Sequence, residues 1–431
     1  MEQNREMSPL ETKFQWLLEK RRQNSTLRSL TAAKNHIDFS SNDFLSLATN
    51  PSLKSAFLAE LSSSSCLLGS GGSRLLDGNS AYAETLEREI CAFHNAEAGL
   101  LFNSGFDANA GFFACVPQQG DIVVYDELIH ASVHDGMRLS RAAKTVSFKH
   151  NDINDLRRVL QQLIGNEDPA LQLLRGERHV FVGVEAVYSM DGDVAPLTAV
   201  VETVEEVLGV QGSYVVVDEA HATGVIGREG RGLVCELALE KRVFARLHTF
   251  GKALGCNGAI ILGSTLLRQY LINYARPLIY TTFMSYPSLA AIRTSYCFLS
   301  QGQTEPLAAN LRTLIHTLFV ELEAVQTPAF RYLLKIPQQR PDSPIFSIQL
   351  AAPKRLAGFL QSRGMMVRAV VPPTVPEGTS RVRVCLHAGN TEAEIKLLVA
   401  TMEEWFVKRE NERVMVQERP TKSDATVSAR L

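Results

Sequence analysis

Short runs of apolar residues alternate along this chain with longer stretches whose apolar residues recur at helical spacing. Val180 to Val184, Tyr214 to Val217 and Ala259 to Leu262 are runs of the first kind. They are too short for helices and rich in β-branched residues, so they read as strands covered on both faces. Gly99 to Phe102, Asp121 to Tyr125, Thr145 to Phe148 and Arg246 to Phe250 read as further strands. Ala83 to His94 places Leu86, Ile90 and Phe93 on one helical face, and Val200 to Leu208 reads as another helix. This alternation predicts an α/β fold whose large domain is a mostly parallel, doubly wound sheet.

The pattern also divides the chain. Residues 1 to 60 read as an N-terminal arm followed by the first segment of a smaller domain. Phe14, Leu17 and Leu18 give the arm a helix, and Lys20, Arg21 and Arg22 complement its C-terminal dipole. The large α/β domain is expected over 61 to 300. It closes with a helix from Leu266 to Tyr274, a turn from Arg276 to Thr282, and long helices that continue to about residue 325. A smaller α+β domain is expected over 301 to 410, with strands Ile345 to Leu350, Met365 to Val371 and Arg381 to Leu386. Its last helix runs from Glu392 to about Val407. Asn166 to Gly176 reads as a surface loop. Residues 411 to 431 lack apolar periodicity and read as a flexible tail.

In an open α/β sheet, ligands bind at the carboxyl ends of the strands. The strand from Ser213 ends in Asp218, with His221 three residues on. The strand from Arg246 leads to Lys252 and the Gly-rich Ala253 to Gly258. Most loop lysines are simply solvated. A desolvated one can lose its proton and act as nucleophile or base. An acid at one strand end and a lysine at the next therefore point to one shared site. Asn103 to Asn109 is a strand, a small-residue turn and a helix start, which offers backbone N–H groups to an anion. A strand ending in Asp126 is followed by His130, and such a lone histidine is more often structural. No G-K-[ST] follows the glycine cluster at Gly69 and no G-x-G-x-x-G follows a first strand, so nucleotide P-loop and dinucleotide folds are disfavoured.

Composition narrows the classes. The chain has 431 residues, 45% hydrophobic and 21% charged, with a formal net charge of -2. That balance gives no electrostatic reason for nucleic-acid or anionic-membrane binding. No apolar run reaches membrane-spanning length, so no membrane insertion is expected. Seven cysteines without a C-x-x-C pair argue for a reducing compartment and against a structural metal site. The N-terminal stretch with Glu2, Glu6, Glu11 and Glu19 has no apolar signal core, so neither a secretory signal nor a mitochondrial presequence is expected.

Taken in order, Gly69-Ser-Gly-Gly-Ser-Arg74, Ser104-Gly-Phe106, Ser189-Met-Asp-Gly-Asp193, Asp218-Glu-Ala-His221, Thr249-Phe-Gly-Lys252 and Pro372-Pro-Thr374-Val-Pro resemble the α-oxoamine synthases. That family consists of fold-type I enzymes using pyridoxal 5′-phosphate, and the resemblance covers about residues 36 to 407. It implies a homodimer that condenses an amino acid with an acyl-CoA, releasing CoA and CO2. The pattern is most similar to members that join L-alanine to pimeloyl-CoA in biotin synthesis. Members that make acetylated glycine, 5-aminolevulinate or long-chain serine products are the alternatives. By this resemblance Lys252 would carry the cofactor covalently and move the substrate Cα proton. Asp218 would pair with the pyridine nitrogen, His221 and Ser189 would contact the phenolic oxygen, and His130 would stack on the ring. Gly105, Phe106 and Thr249 would bind the phosphate. Thr281 and Thr282, after Tyr280, would reach the phosphate across a dimer interface, although an ordinary polar turn explains them equally well. Arg383 with Asn42 would bind the amino-acid carboxylate, Arg28 would contact substrate, and Thr374 would lie near the acyl group. No metal is implied.

The chain departs from that pattern at Val371, where the family's bacterial members have arginine. Arg368 could substitute, but strand alternation counted from Val371 would point it to the other face. A second class of reading is a non-catalytic family partner that has lost the lysine. Here Lys252, Asp218, His221 and His130 are all present. The ending Ala429-Arg430-Leu431 resembles an S-K-L peroxisomal signal. The expected location is therefore the peroxisome, and otherwise the cytoplasm.

Overall fold

The computed structural model describes residues 7–24, 26–30, 36–63, 68–164, 178–210, 213–326 and 333–417. They fall into two compact units, Met1–His36 and Ile37–Leu431. The first contains the helix Pro9–Gln23, begun by a capping box in which Ser8 and Glu11 satisfy each other's backbone N–H. Arg28 lies in this unit and is exposed.

The second unit is built on a seven-stranded sheet. Its strands are β1 (Ala98–Phe102), β2 (Ile122–Asp126), β3 (Lys144–Phe148), β4 (Val180–Glu185), β5 (Ser213–Asp218), β6 (Ala245–Thr249) and β7 (Ala259–Gly263). In space they run β1-β7-β6-β5-β4-β2-β3. The five from β6 to β3 are parallel, and β7 is antiparallel to both of its neighbours. Period-two alternation explains why both faces are covered. Val180, Val182, Val184, Val215 and Val217 pack against the apolar faces of helices Ile153–Ile164 and Leu197–Leu208. Phe181, Val216 and Leu247 face the other way, onto Ala108, Phe112 and Phe113 of helix Gly105–Cys115. The parallel strands therefore point their carboxyl ends to a common edge.

A four-stranded antiparallel sheet follows: β8 (Leu334–Lys335), β9 (Ile345–Leu350), β10 (Arg368–Val370) and β11 (Arg381–Cys385), in the order β10-β11-β9-β8. Val382, Val384, Phe346 and Ile348 bury one face in the core, together with Leu360, Ile395 and Leu398 of the helices behind. Ile37–Asp38 pairs with Met365–Met366 as a separate two-stranded ribbon.

Three boundaries differ from the sequence reading. Met365 to Val371 is not one strand: it breaks at Val367, one half pairing with Ile37–Asp38 and the other with β11. Arg276–Ile279 is a short helix rather than a turn, started by Pro277, whose missing N–H costs nothing there. The last helix continues to Gln417, ten residues beyond the expected Val407. The expected loop at Asn166 to Gly176 and the chain end from 418 lie outside the described residues. Among the described residues no helix is long and apolar enough to cross a membrane.

Candidate active site

β5 and β6 are parallel neighbours, so Asp218 and Lys252 leave the sheet side by side. Asp218 is buried, and its carboxylate accepts from the Ala220 N–H at 2.9 Å and from Asn109 Nδ2 at 2.7 Å. The same Asn109 amide donates to Ser132 Oγ at 3.1 Å, which lies 2.8 Å from His130 Nδ1. His130 caps helix Ala131–Leu139, with Nδ1 accepting from the Ser132 N–H at 3.2 Å. That bond fixes the imidazole's attitude while its ring remains exposed. One buried amide thus ties the acid at the sheet edge to the histidine above it.

Lys252 is half-buried. Burial lowers its ammonium to about 8, against the opposing pull of the Asp218 and Glu185 carboxylates. Glu185 sits directly opposite Asp218 across β4 and β5. Burial, reinforced by the Asp218 charge, raises its pKa well above the usual carboxyl range, so this second acid is held neutral. His221 is buried, and its Nδ1 has no hydrogen-bond partner. Burial drives its pKa well down, helped by the charges of Lys252 and Arg383, so it is a neutral ring in this pocket.

Below these groups lies an anion cradle. Ser104 caps helix Gly105–Cys115 by accepting the Asp107 N–H at 3.1 Å. A Cβ at Gly105 would fall well inside 3.0 Å of Thr249 Oγ1. The threonine hydroxyl therefore stands directly over the first turn, where unpaired N–H groups and the helix dipole favour an anion. Phe106 is exposed beside it. Asn103 donates to the Thr282 carbonyl at 2.8 Å and approaches Thr281 Oγ1 at 3.5 Å, so that segment abuts the same turn within one chain.

Across from β5, Arg383 of β11 donates through Nε to the Ser189 carbonyl at 2.6 Å and through Nη2 to Asn42 Oδ1 at 2.9 Å. Arg381, two residues earlier, pairs with Asp191. These bonds join the four-stranded sheet to the Ser189–Asp193 turn. That turn is held from its far side by His150, which bridges Asp126 at 2.9 Å and Asp193 at 2.6 Å. Thr374 is exposed on the loop after β10, its N–H donating to Val371.

The structure therefore brings together Lys252, Asp218, His221, His130, Thr249, Gly105, Ser189, Asn42 and Arg383. Arg28 belongs to the other unit. The sequence reading missed Asn109, Ser132 and the pairing of Glu185 with Asp218. Asn109 had a readable signal, since it is four residues after Gly105 and hence on the same helical face. Arg368 also needs correction. Val371 lies beyond the end of β10, and Arg368 is directly opposite Arg383, so the two share a face.

A buried acid with an amide behind it, a lysine of lowered pKa, an unpartnered neutral histidine and a glycine cradle at a helix start are the groups a phosphorylated pyridine aldehyde requires. The chain belongs to the aminotransferase class I and II family, whose model matches residues 34–402. Within it, the chain is 53% identical over 382 residues to 8-amino-7-oxononanoate synthase of Emericella nidulans, spanning 88% of this chain and 91% of that one. It is 40% identical over 387 residues to aminoacyl transferase sphA of Aspergillus fumigatus, spanning 85% and 80%. Serine palmitoyltransferase of Sphingomonas wittichii has the same fold, with a TM-score of 0.80 at 24% identity over 94% of this chain and all of that one. The chain is thus an α-oxoamine synthase, a pyridoxal 5′-phosphate-dependent acyltransferase.

Proposed function

We propose that the chain condenses L-alanine with pimeloyl-CoA, giving 8-amino-7-oxononanoate, CoA and CO2, a step of biotin synthesis. The similarity to the Emericella nidulans enzyme supports these substrates. The observation that carries the chemistry is Lys252 and Asp218 at adjacent strand ends above the Gly105 helix start.

Bound pyridoxal 5′-phosphate supplies an electron sink for charge that develops at the substrate Cα. Lys252 would hold the cofactor and exchange the Cα proton; an amine near pKa 8 is matched to proton transfer close to neutral pH. Asp218, oriented by Asn109, would keep the ring nitrogen protonated through a charge-assisted bond. His130 would hold one face of the ring, and neutral His221 would contact the phenolic oxygen. Arg383, pre-set by Asn42 and Ser189, takes the amino-acid carboxylate in a forked bond. The amino-acid Cα then bonds to the thioester carbonyl carbon as the thiolate of CoA leaves. The original carboxylate departs as CO2, and a proton returned to Cα completes the amino ketone.

The reading includes a two-fold symmetric homodimer in which Arg276 to Thr282 completes the neighbouring subunit's phosphate site. It also includes peroxisomal import through Ala429 to Leu431, which lie outside the described residues. The test of the substrates is CoA release and product mass for alanine, glycine and serine against pimeloyl-, acetyl-, succinyl- and palmitoyl-CoA. Turnover confined to another pair would overturn the alanine–pimeloyl assignment.

A further inference from the structure

Thr281 and Thr282 stand between two helices, Arg276–Ile279 and Tyr286–Ser300, in a segment that belongs to no strand. Such a segment has no ladder of its own, so its place is set by what its backbone bonds to. Ser70 Oγ donates to the Phe283 carbonyl at 2.8 Å, and the Phe283 N–H donates to the Gly72 carbonyl at 2.9 Å. Asn103 holds the Thr282 carbonyl. The glycine cluster at Gly69 is therefore a seat for residues more than two hundred positions away. The loop closes tightly on that seat: a Cβ at Gly78 would fall inside 3.0 Å of the Gly72 carbonyl oxygen that accepts from Phe283.

Arg74 ends the cluster and is 9% exposed. Its guanidinium lies over the Phe283 ring, 4.8 Å from the centroid. Its fork pairs with Glu87 and donates to Asn79 Oδ1 at 2.8 and 3.1 Å. Glu87 is buried on helix Ala81–Phe93 and has other partners: it accepts from the Leu101 N–H of β1 and from Arg268, each at 2.8 Å. Those two bonds pin the helix to the sheet without Arg74. What Arg74 adds is a planar cation against the face of Phe283, the residue directly after Thr282.

We infer that Arg74 is a positioning residue for Thr281 and Thr282, acting through Phe283. The Glu87–Arg74 pair carries the position of helix Ala81–Phe93 and β1 to the segment, and so fixes where the two threonines stand. The inference rests on the proposed dimer, in which this segment completes the neighbouring subunit's phosphate site. It adds the residue that holds the segment ready for that role. A change at Arg74 is then felt in the partner's site and not in its own.

The test uses Arg74→Lys, which keeps a charge for Glu87 but loses the planar fork, and Phe283→Leu, which removes the ring but leaves the Glu87 pair. Titration of cofactor-free protein with pyridoxal 5′-phosphate should show Kd raised about 10-fold in each, as for a misplaced hydrogen bond to a charged group. The double variant should be no weaker than the worse single, because both break one contact. Hybrid dimers, assembled from two differently tagged chains of which one carries Lys252→Ala, locate the loss, since only one site then turns over. With Arg74→Lys on the Lys252→Ala chain, the working site is completed by the altered segment. Its half-saturating cofactor concentration should rise about 10-fold. With Arg74→Lys on the other chain, the working site is completed by an intact segment and should match wild type. A merely structural defect would stay with the chain that carries it and reverse this pattern. Such a reversal would overturn the crossing between subunits and this inference with it. Unchanged Kd in both single variants, or losses that add in the double variant, would overturn the role of Arg74 and leave the dimer reading intact.

Discussion

Replacing Gly105 by alanine tests the cradle with a single methyl group. The backbone at Gly105 is not in the left-handed region, so alanine suits the conformation and only space is at issue. The new Cβ would fall inside 3.0 Å of Thr249 Oγ1 and 3.4 Å from Thr249 Cβ. Thr249 cannot retreat, since its backbone is paired with Ala259 in the interior of the sheet. Two escapes remain. The threonine turns about χ1, which is stiff in a β-branched residue, or the helix start moves away. The first removes the hydroxyl from the anion site and the second misaims the helix N–H groups. Overpacking of this kind costs about 1–3 kcal/mol. Loss of one hydrogen bond to a charged phosphate costs about 1.5–3 kcal/mol, or roughly 10- to 100-fold in cofactor Kd.

The assay is titration of cofactor-free protein with pyridoxal 5′-phosphate, followed by absorbance, for Gly105→Ala, Thr249→Ala and the double variant. Thr249→Ala removes the obstructing atom, so the double variant should be less impaired than the sum by at least about 1 kcal/mol. Thr249→Ser keeps Oγ on a freer side chain, so its relief should be smaller than that of Thr249→Ala. Wild-type affinity in Gly105→Ala, or strictly additive losses, would refute the close approach of Thr249 to the helix start.

Four further outcomes follow from the same geometry. Lys252→Ala should fold and bind cofactor reversibly but show no turnover, and borohydride reduction of the wild type should label Lys252; a label on a different lysine would refute its role. Asp218→Asn should retain the Asn109 contact region and bind cofactor, with turnover reduced by at least about 100-fold because the ring nitrogen loses its charged partner; near-normal turnover would remove Asp218 from that position. His150 is pulled down by burial, yet bonds from Asp126 and Asp193 outweigh this and raise it to about 10. A raised folded-state pKa stabilises fully below the unfolded value of about 6.5 and the contribution disappears as pH rises through about 10. The Tm deficit of His150→Gln should therefore be largest at pH about 6.5, fall progressively as pH rises and be nearly gone by pH about 10; a deficit independent of pH would contradict a charged clamp. A fluorescent protein fused ahead of residue 1 should mark peroxisomes with the intact chain and the cytosol when Ala429 to Leu431 are removed, and identical diffuse signals would reject the address.

The residues legible in the sequence are those where a local rule breaks. Asp218 and Lys252 stand out because each interrupts or follows a run of buried strand residues with a group that is costly to bury. The glycine at 105 is legible as a turn, but its reason, a threonine hydroxyl supplied 144 residues later by β6, is not. Asn109 and Ser132 resemble ordinary helix residues until register brings both beneath Asp218 and His130. Arg368 shows the limit most directly. Alternation counted from Val371 does not apply, because Val371 lies beyond the end of β10, and the face that Arg368 shares with Arg383 is set by pairing across the sheet. The break at Val367 is just as hidden, since it arises because Met365 and Met366 pair with Ile37 and Asp38, more than three hundred residues away in sequence. Period-two alternation specifies a face only while a strand remains in one sheet. A run that changes partners half way therefore cannot be given a face from its own sequence, because the pairing that splits it comes from the first residues of the main unit.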